Sequence, residues 1–542
     1  MAQNAVFGIN SNLDTQDIIN KMVSLEARSM DLVEAKKQIE QQKLASFQEL
    51  KNRLQTFKSV VTTLNTQSRF IVNKSVFSNN SFSDSNKVVD ITTTSSASSG
   101  TYSLIVNNLA TESKLITSGY AGTTTSIASG TVTIVIGSSA SATVTINSTN
   151  NTLDGLRLAV NNLGLDVKAS FLNDGDATNP YRLLISGTQT GSSGTVTMSH
   201  TTTQTPFSAG SAGVSFETTQ TARDASLLLD GVSITKSSNT VTDVISGAAL
   251  KLQSAGSGTI SLSTDTEAIT TKVSDFVDEY NDLSLFLGEQ LALDSETEET
   301  GVLFGNFAVQ NLQQILRSSI SSKVTGISGD YTYLSQIGIT TQSDGTIILD
   351  TDDFSDALVG DIENVSQLFS SNGSVTNSSV AYVGFTSDTE PGYYDLQVSS
   401  GAPQLSNSGA STFVNASGSG NFWAGSSGDS TGLNFRISSL TDGSYGQISL
   451  SIGVAEILNR ELKDMVDSSL NGPLVTELDT IKETVDDYNE TLLEQAERLL
   501  EFEESLKARF TNLEIVLGRL NAQKDTFNSA LAGIQNIFSQ KK

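Results

Sequence analysis

The residues of this chain able to do chemistry are few, and their spacing selects no reaction. The densest carboxylate cluster lies in LDTDDFSDALVGDIE (349–363), which holds Asp350, Asp352, Asp353 and Asp356. Oxygen ligands at that density suggest calcium, but the segment lacks the glycine and the glutamate at EF-hand spacing. Asp352 and Asp353 read instead as caps of the helix that follows. The single histidine, His200 in the polar run MSHTTTQT, reads as a solvated loop residue. One imidazole completes neither a His-based metal cluster nor a Ser/His/Asp triad. Cysteine is absent, so disulfides, thiolate zinc sites and cysteine nucleophiles are excluded. There is no GxxxxGK[ST] phosphate loop, no HExxH and no GxGxxG after a strand. Glycoside hydrolysis needs a positioned carboxylate pair, and nothing selects one among 59 acids. The lone tryptophan, Trp423 in SGNFWAGSSG, reads as core of a small module. No catalytic residue, cofactor or metal is therefore expected, and the chain reads as a non-enzyme.

Bulk properties narrow the partners. A net charge of −27 and a pI near 4.3 argue against nucleic acid, which demands clustered Lys and Arg. The same charge disfavours an anionic membrane surface. No run of eighteen apolar residues occurs, so no membrane insertion is expected. The start, MAQNAVFGINSNLDTQDIINKM, has no cation before Lys21 and no apolar core, and reads as no secretory signal peptide. At 542 residues, and roughly 150 per domain, three or four domains are expected.

The elements themselves are easier to read. No glycine occurs between Gly8 and Gly100, and the first proline is Pro180, so a long N-terminal helix is permitted. Its apolar stripe runs through Ile18, Met22, Leu25, Leu32, Ile39, Phe47, Leu50, Leu54, Phe57, Val61, Leu64 and Ile71, mostly in steps of three and four. Asp14 is the expected N-cap, with Asp17 favouring the positive helix end. At the other end Leu492, Ala496, Leu499, Leu506, Phe510, Leu513, Leu517, Leu520, Phe527, Leu531, Ile534 and Phe538 form one a/d stripe. Pro473 suits the first turn of that helix. About 45 residues span roughly 70 Å, too long for a compact domain to bury, so the stripe needs a partner helix. The N-terminal stripe is the natural one.

Between these ends the chain reads as β. Residues 115–153, 183–216 and 396–428 carry no Asp, Glu, Lys or Arg and contain alternating runs such as TVTIVIG and ATVTIN. A weak repeat pairs GTYSLIV (100–106) with GYYDLQV (392–398), and 181–199 with 434–451. IGITTQSDGTIILD holds Asp344-Gly345 between apolar residues, a hairpin signal. The expected fold is α+β and multidomain, with terminal helices forming a coiled-coil leg and helical stem and with antiparallel β-rich domains inserted. The leg takes 1–45 with 495–542. The stem takes 46–75 with 266–375 and 455–494 and carries one β-hairpin. One β domain is 76–117 with 222–265, a second is inserted at 118–221, and an additional β module is inserted at 376–454.

Several ordered motifs now resemble those of the flagellar hook-associated protein 2 family, the filament-capping proteins. GINSNLDTQDIINKMVSLEARSMDL resembles its N-terminal signature, with Glu26 and Arg28 one position looser than the usual adjacent pair. GTYSLIVNNLATESKL, DASLLLDGVSITKSSNTVTDVISGAALKL (224–252), FVDEYNDL (276–283), LSQIGITTQSDGTIILD (334–350) and RLLEFEESLKARFTNLE (498–514) follow in family order. The resemblance implies a legged cap at the distal tip of the bacterial flagellar filament, outside the cell, exported by the flagellar type III route without a cleaved signal peptide. It implies a ring-shaped homo-oligomer that promotes folding and insertion of exported flagellin. Flagellin, a hook–filament junction protein and an export chaperone are the implied partners, with no cofactor. The leg and assembly residues would be Ile18, Met22, Leu25, Leu32, Ile39, Leu499, Leu506, Phe510, Leu513, Leu517, Leu520, Phe527, Leu531 and Ile534. The 376–454 module departs from the pattern. Alternative readings are another axial hook–filament junction protein, which also zips helical termini, and a secreted β-rich adhesin.

Overall fold

With nothing to break it, the N-terminal helix runs unbroken over Thr15–Thr62. Asp14 caps it as expected, its Oδ1 accepting the Asp17 N–H at 3.0 Å. The C-terminal helix begins at Pro473, whose fixed φ suits a first turn, and continues to Ser539. The computed structural model describes residues 14–80, 87–138, 140–201, 214–294, 297–327, 329–467 and 472–539. The family-like stretch 8–13 lies outside these. The chain divides into two units, Met1–Asn65 with Lys272–Lys542, and Thr66–Thr271.

In the first unit the lower half of the N-terminal helix is core. Phe47, Leu50, Leu54, Phe57 and Val61 are buried. The Phe57 ring lies 5.6 Å from that of Phe276 and 6.1 Å from that of Tyr280, and Phe276 meets Phe369 edge-on at 6.1 Å. Phe276 and Tyr280 belong to helix Thr266–Gln290, and Phe369 ends helix Thr351–Phe369. Edge-to-face rings stabilise beyond their area alone. The hairpin Ile339–Thr341/Ile347–Leu349 forms where expected, with Gly345 at φ +87° and Asp344 Oδ1 accepting the Thr346 N–H at 2.9 Å. The acidic run behind it needs a correction. Asp350 is the cap, its Oδ1 accepting the Asp352 and Asp353 N–H groups at 3.0 and 3.1 Å. Asp352 and Asp353 lie in the first turn, where their charge favours the helix end without capping it.

Two β-sandwiches, one in each unit, repeat one topology. In the unit Thr66–Thr271 one sheet runs Asn73–Asn79, Gly256–Thr264, Gly100–Asn108, Ala225–Leu229, Val232–Lys236. In the other unit the sheet of the 376–454 region runs Ser371–Val375, Gly443–Ile452, Gly392–Ser399, Ala402–Asn407, Val414–Asn415. The opening strand pairs with the closing strand in both, and the Gly-x-Tyr strand comes third. GTYSLIV and GYYDLQV are thus true counterparts. The second sequence match is not, because the counterpart of Gly443–Ile452 is Gly256–Thr264 and residues 181–199 belong to a different sheet. Gly392–Ser399 joins Ala402–Asn407 by the tight turn Ser400-Gly401, both residues at positive φ. Asp442 accepts both turn amides at 3.0 and 2.9 Å, which holds its carboxyl below the usual range. Between the equivalent strands Gly100–Asn108 and Ala225–Leu229 the chain instead inserts a domain. Paired strand ends lie close together, so a long excursion between them costs little loop entropy.

The inserted domain has its own core of Ile127, Val132, Ile134, Leu153, Leu156, Leu183 and Ile185 beneath two antiparallel sheets. His200 lies there in strand Val196–Thr201, exposed and paired with Val132, rather than in a loop. Trp423 is half-buried against the core of the 376–454 module, its Nε1 donating to the Gly420 carbonyl at 3.1 Å. That module is bolted to its stem. The Tyr393 hydroxyl donates to the Ile327 carbonyl at 2.7 Å, and a Cβ at Gly326 would collide with the Leu450 carbonyl. Glu456 accepts from Asn65 at 2.8 Å and from Arg460 at 3.1 Å, while the Arg460 guanidinium stacks on Phe385 at 4.7 Å.

Phe276→Ala should destabilise the helical unit by about 3–5 kcal/mol, read as a lower urea midpoint with unchanged slope. Asp350→Ala should cost about 1 kcal/mol through the lost cap, measured the same way.

Candidate functional site

The leg is an antiparallel helix pair. Glu26, Ser29 and Met30 line one depression with Gln495, Arg498, Leu499 and Phe502, while Glu40, Lys43 and Phe47 line another with Glu477, Thr480, Ile481 and Thr484. Numbers rise along one helix as they fall along the other. This register places Met30 opposite Leu499, and Thr15 near Leu513.

The two stripes meet this geometry differently. On the C-terminal helix Leu506 is buried, and Leu499, Phe510 and Leu517 are half-buried on the packed face, as expected of the seam. Leu513, Leu520, Phe527, Leu531 and Ile534 are exposed. They continue the same face; Leu513 lies at the level of Thr15, and the antiparallel register carries Leu520, Phe527, Leu531 and Ile534 beyond it. The Phe538 side chain lies outside the described residues.

On the N-terminal helix the expected seam is displaced. Ile19 is fully buried and Val23, Met30, Val33 and Leu44 are half-buried, so these face the partner helix. Ile18 is half-buried beside them. Met22, Leu25, Leu32 and Ile39 are exposed, Leu25 and Leu32 by 62% and 68%. The helix carries two apolar lines about 100° apart at heptad spacing. The larger residues make the line that is conspicuous in sequence, yet the smaller line makes the intramolecular contact. The shift traces to the lower helix, where Phe47, Leu50 and Leu54 are held in the stem core and set the rotation of the whole rod. The eight-residue step from Ile39 to Phe47, one more than a heptad, carries that change of phase.

Conventional chemistry is thin elsewhere. Among the described residues no group of three His, Cys, Asp or Glu is placed to hold a metal ion. No described helix is long and apolar enough to cross a membrane. GDSTG (428–432) has Gly-x-Ser-x-Gly spacing, but its Ser430 is buried at the end of a short 3-10 turn with Oγ donating to the Ser427 carbonyl at 3.2 Å. A nucleophile elbow instead exposes its serine between a strand and a helix. What the molecule offers is surface: two exposed leucine-rich lines on a long leg, carried by a braced helical stem.

Comparison with known proteins agrees with this architecture. The model of the flagellar hook-associated protein 2 N-terminus matches residues 11–113, and that of its C-terminus matches 222–522. The residues left between are largely those of the inserted domain. The B-type flagellar hook-associated protein 2 of Pseudomonas aeruginosa is 29% identical over 393 residues, covering 67% of this chain and 79% of the relative. The flagellar hook-associated protein 2 of Escherichia coli (strain K12) is 29% identical over 395 residues, covering 69% and 82%. In fold, the chain resembles the crystal structure of the flagellar cap protein FliD D1-D2-D3 domains from Escherichia coli. That match has a TM-score of 0.54 at 24% identity and covers 81% of this chain and 99% of that one. With the C-terminal model alone spanning more than half of its length, this chain belongs to the flagellar hook-associated protein 2 family.

Proposed function

We propose that this protein is the non-enzymatic cap at the distal end of a bacterial flagellar filament, where a ring of its copies promotes folding and insertion of exported flagellin. The leg supports the reading most directly. Two helices from opposite chain ends pair along one face and leave apolar lines uncovered on others, the mark of a part that completes itself in an assembly. Met22, Leu25, Leu32 and Ile39 are assigned to contacts between copies, with Ile18 at their upper edge. Leu499, Leu506, Phe510 and Leu517 hold the leg together. Leu513, at the level of Thr15, and Leu520, Phe527, Leu531 and Ile534 beyond it are assigned to the junction with the filament. In this reading the protein acts outside the cell. Flagellin, a hook–filament junction protein and an export chaperone are its partners.

Immunogold labelling of flagellated cells tests the location: signal at the filament tip is expected, and signal along the shaft or at the hook would overturn the reading. Deleting residues 499–542 should abolish filament growth while the β modules keep their unfolding transitions; long filaments from that variant would refute the leg assignment. Leu506→Ala should destabilise the leg by about 2–4 kcal/mol. Leu32→Ser should leave monomer stability within about 0.5 kcal/mol yet weaken self-association, read by sedimentation of the two variants side by side.

A further inference from the structure

The inserted domain joins the first sandwich through a neck of two strands. Residues 109–111 lead out and 221–224 lead back, and Thr111 and Arg223 pair antiparallel between them through bonds of 2.9 and 3.3 Å. A two-stranded ribbon has little stability of its own. Relative motion of the domains it joins would be the default. Two braces act against that motion.

Both come from the hairpin Ala225–Leu229/Val232–Lys236. Its register sets Ala225 against Lys236, so Asp224 and the turn 237–239 leave its open end side by side. The Asn239 side chain copies a strand. Its Oδ1 accepts the Ala110 N–H at 2.7 Å, and its Nδ2 donates to the Ala110 carbonyl at 2.9 Å. Ala110 is buried, and one side-chain amide satisfies both of its backbone groups. The second brace reaches the inserted domain itself, at the turn that ends its strand Tyr181–Thr190. Asp224 accepts the Ser192 N–H on Oδ1 at 2.7 Å and the Ser192 hydroxyl on Oδ2 at 2.8 Å. The Thr190 hydroxyl donates to the Ser237 carbonyl at 2.7 Å, and the Gly191 N–H donates to the Thr111 carbonyl at 3.1 Å. Gly191 has φ +89°, and a Cβ there would come within 2.5 Å of the Ser237 Cβ, so only glycine lets the turn approach this closely.

We propose that Asn239 and Asp224 lock the inserted domain and the first sandwich into one rigid arm, and that ring assembly requires the arm's fixed angle. The assembly role rests on the ring reading above; the lock itself does not. A ring closes only for certain rotations between neighbouring copies. An arm free to swing at its neck would spend most of its time at angles that do not close, and association would weaken by the fraction of time lost. The lock also gives a role to the segment 224–252, whose first residue is Asp224 and whose Ser-Asn turn is 238–239. The sandwich at 376–454 has no such neck, because the tight turn Ser400-Gly401 closes the same gap.

The absence of native cysteine makes the test direct. Exposed Thr143 in the inserted domain and exposed Ser233 in the first sandwich are changed together to cysteine in the full chain and spin-labelled. Their separation is measured by double electron–electron resonance on dilute monomer. One narrow distance is expected. Asn239→Ala with Asp224→Ala should broaden it at least twofold while circular dichroism stays unchanged, and should weaken ring association at least severalfold. Asp224→Asn alone keeps an acceptor for the Ser192 N–H and should keep the narrow distance. A narrow distance in the double alanine variant, or a broad one in the otherwise unaltered chain, would overturn the lock. Broadening with undiminished ring association would overturn the assembly role while sparing the ring reading. Absence of rings from the unaltered chain would overturn the ring reading and that role together, with the distances still deciding the lock.

Discussion

Packing of the first helix against the last is the contact on which the rest of this molecule depends. It closes nearly the whole chain into one loop, and the loss of backbone freedom must be offset by a long apolar seam. The seam is thin near the tip, where Leu506 is one of few fully buried side chains, and thick in the stem, where Phe47, Leu50, Leu54 and Phe57 are all buried. The stem anchors the pair, and the leg extends from it. The rotation imposed by the stem core decides which leg residues face inward, so the apolar lines left exposed far along the rod are set by packing at its base.

The β regions are entered and left by short, paired connections. Each sandwich begins and ends on neighbouring antiparallel strands, so entry and exit are adjacent and the helical path can resume. One sandwich closes its third and fourth strands with the two-residue turn Ser400-Gly401; the other admits a whole domain at the same point. The module at 376–454 is no loose appendage. Tyr393 and Gly326 at a loop of the stem, and Arg460 of its helix stacked on Phe385, tie it in place, so whatever it contributes acts from a fixed position.

Charge is distributed by region rather than evenly. Long uncharged segments fill the inserted domain and part of the 376–454 module, where alternating Thr and Val or Ile suit the two faces of a sheet. The helical regions carry the acidic excess, and on the C-terminal helix solvated glutamates line the face of an otherwise leucine-rich rod.

The helical ends, the β middle, the Asp344-Gly345 hairpin, the cap at Asp14 and the helix start at Pro473 were legible in the residues, because each follows from local rules of period, turn chemistry and breaker placement. The GTYSLIV–GYYDLQV repeat was legible too, since a strand's alternation survives divergence. Its supposed second half was not: Gly/Ser-rich strands look alike, and only pairing reveals that Gly443–Ile452 corresponds to Gly256–Thr264. Asp350 rather than Asp352 caps its helix because the cap is decided by where the preceding strand stops. Above all, heptad spacing announced that both terminal helices seek partners, but not which line meets which partner. A helix with two apolar lines is ambiguous by itself, and rotation is chosen by the most heavily buried stretch of the rod. For this protein the residues determined that the two ends would pair; the stem core, through a rotation no local rule contains, decided that Leu25, Leu32 and Ile39 would face outward.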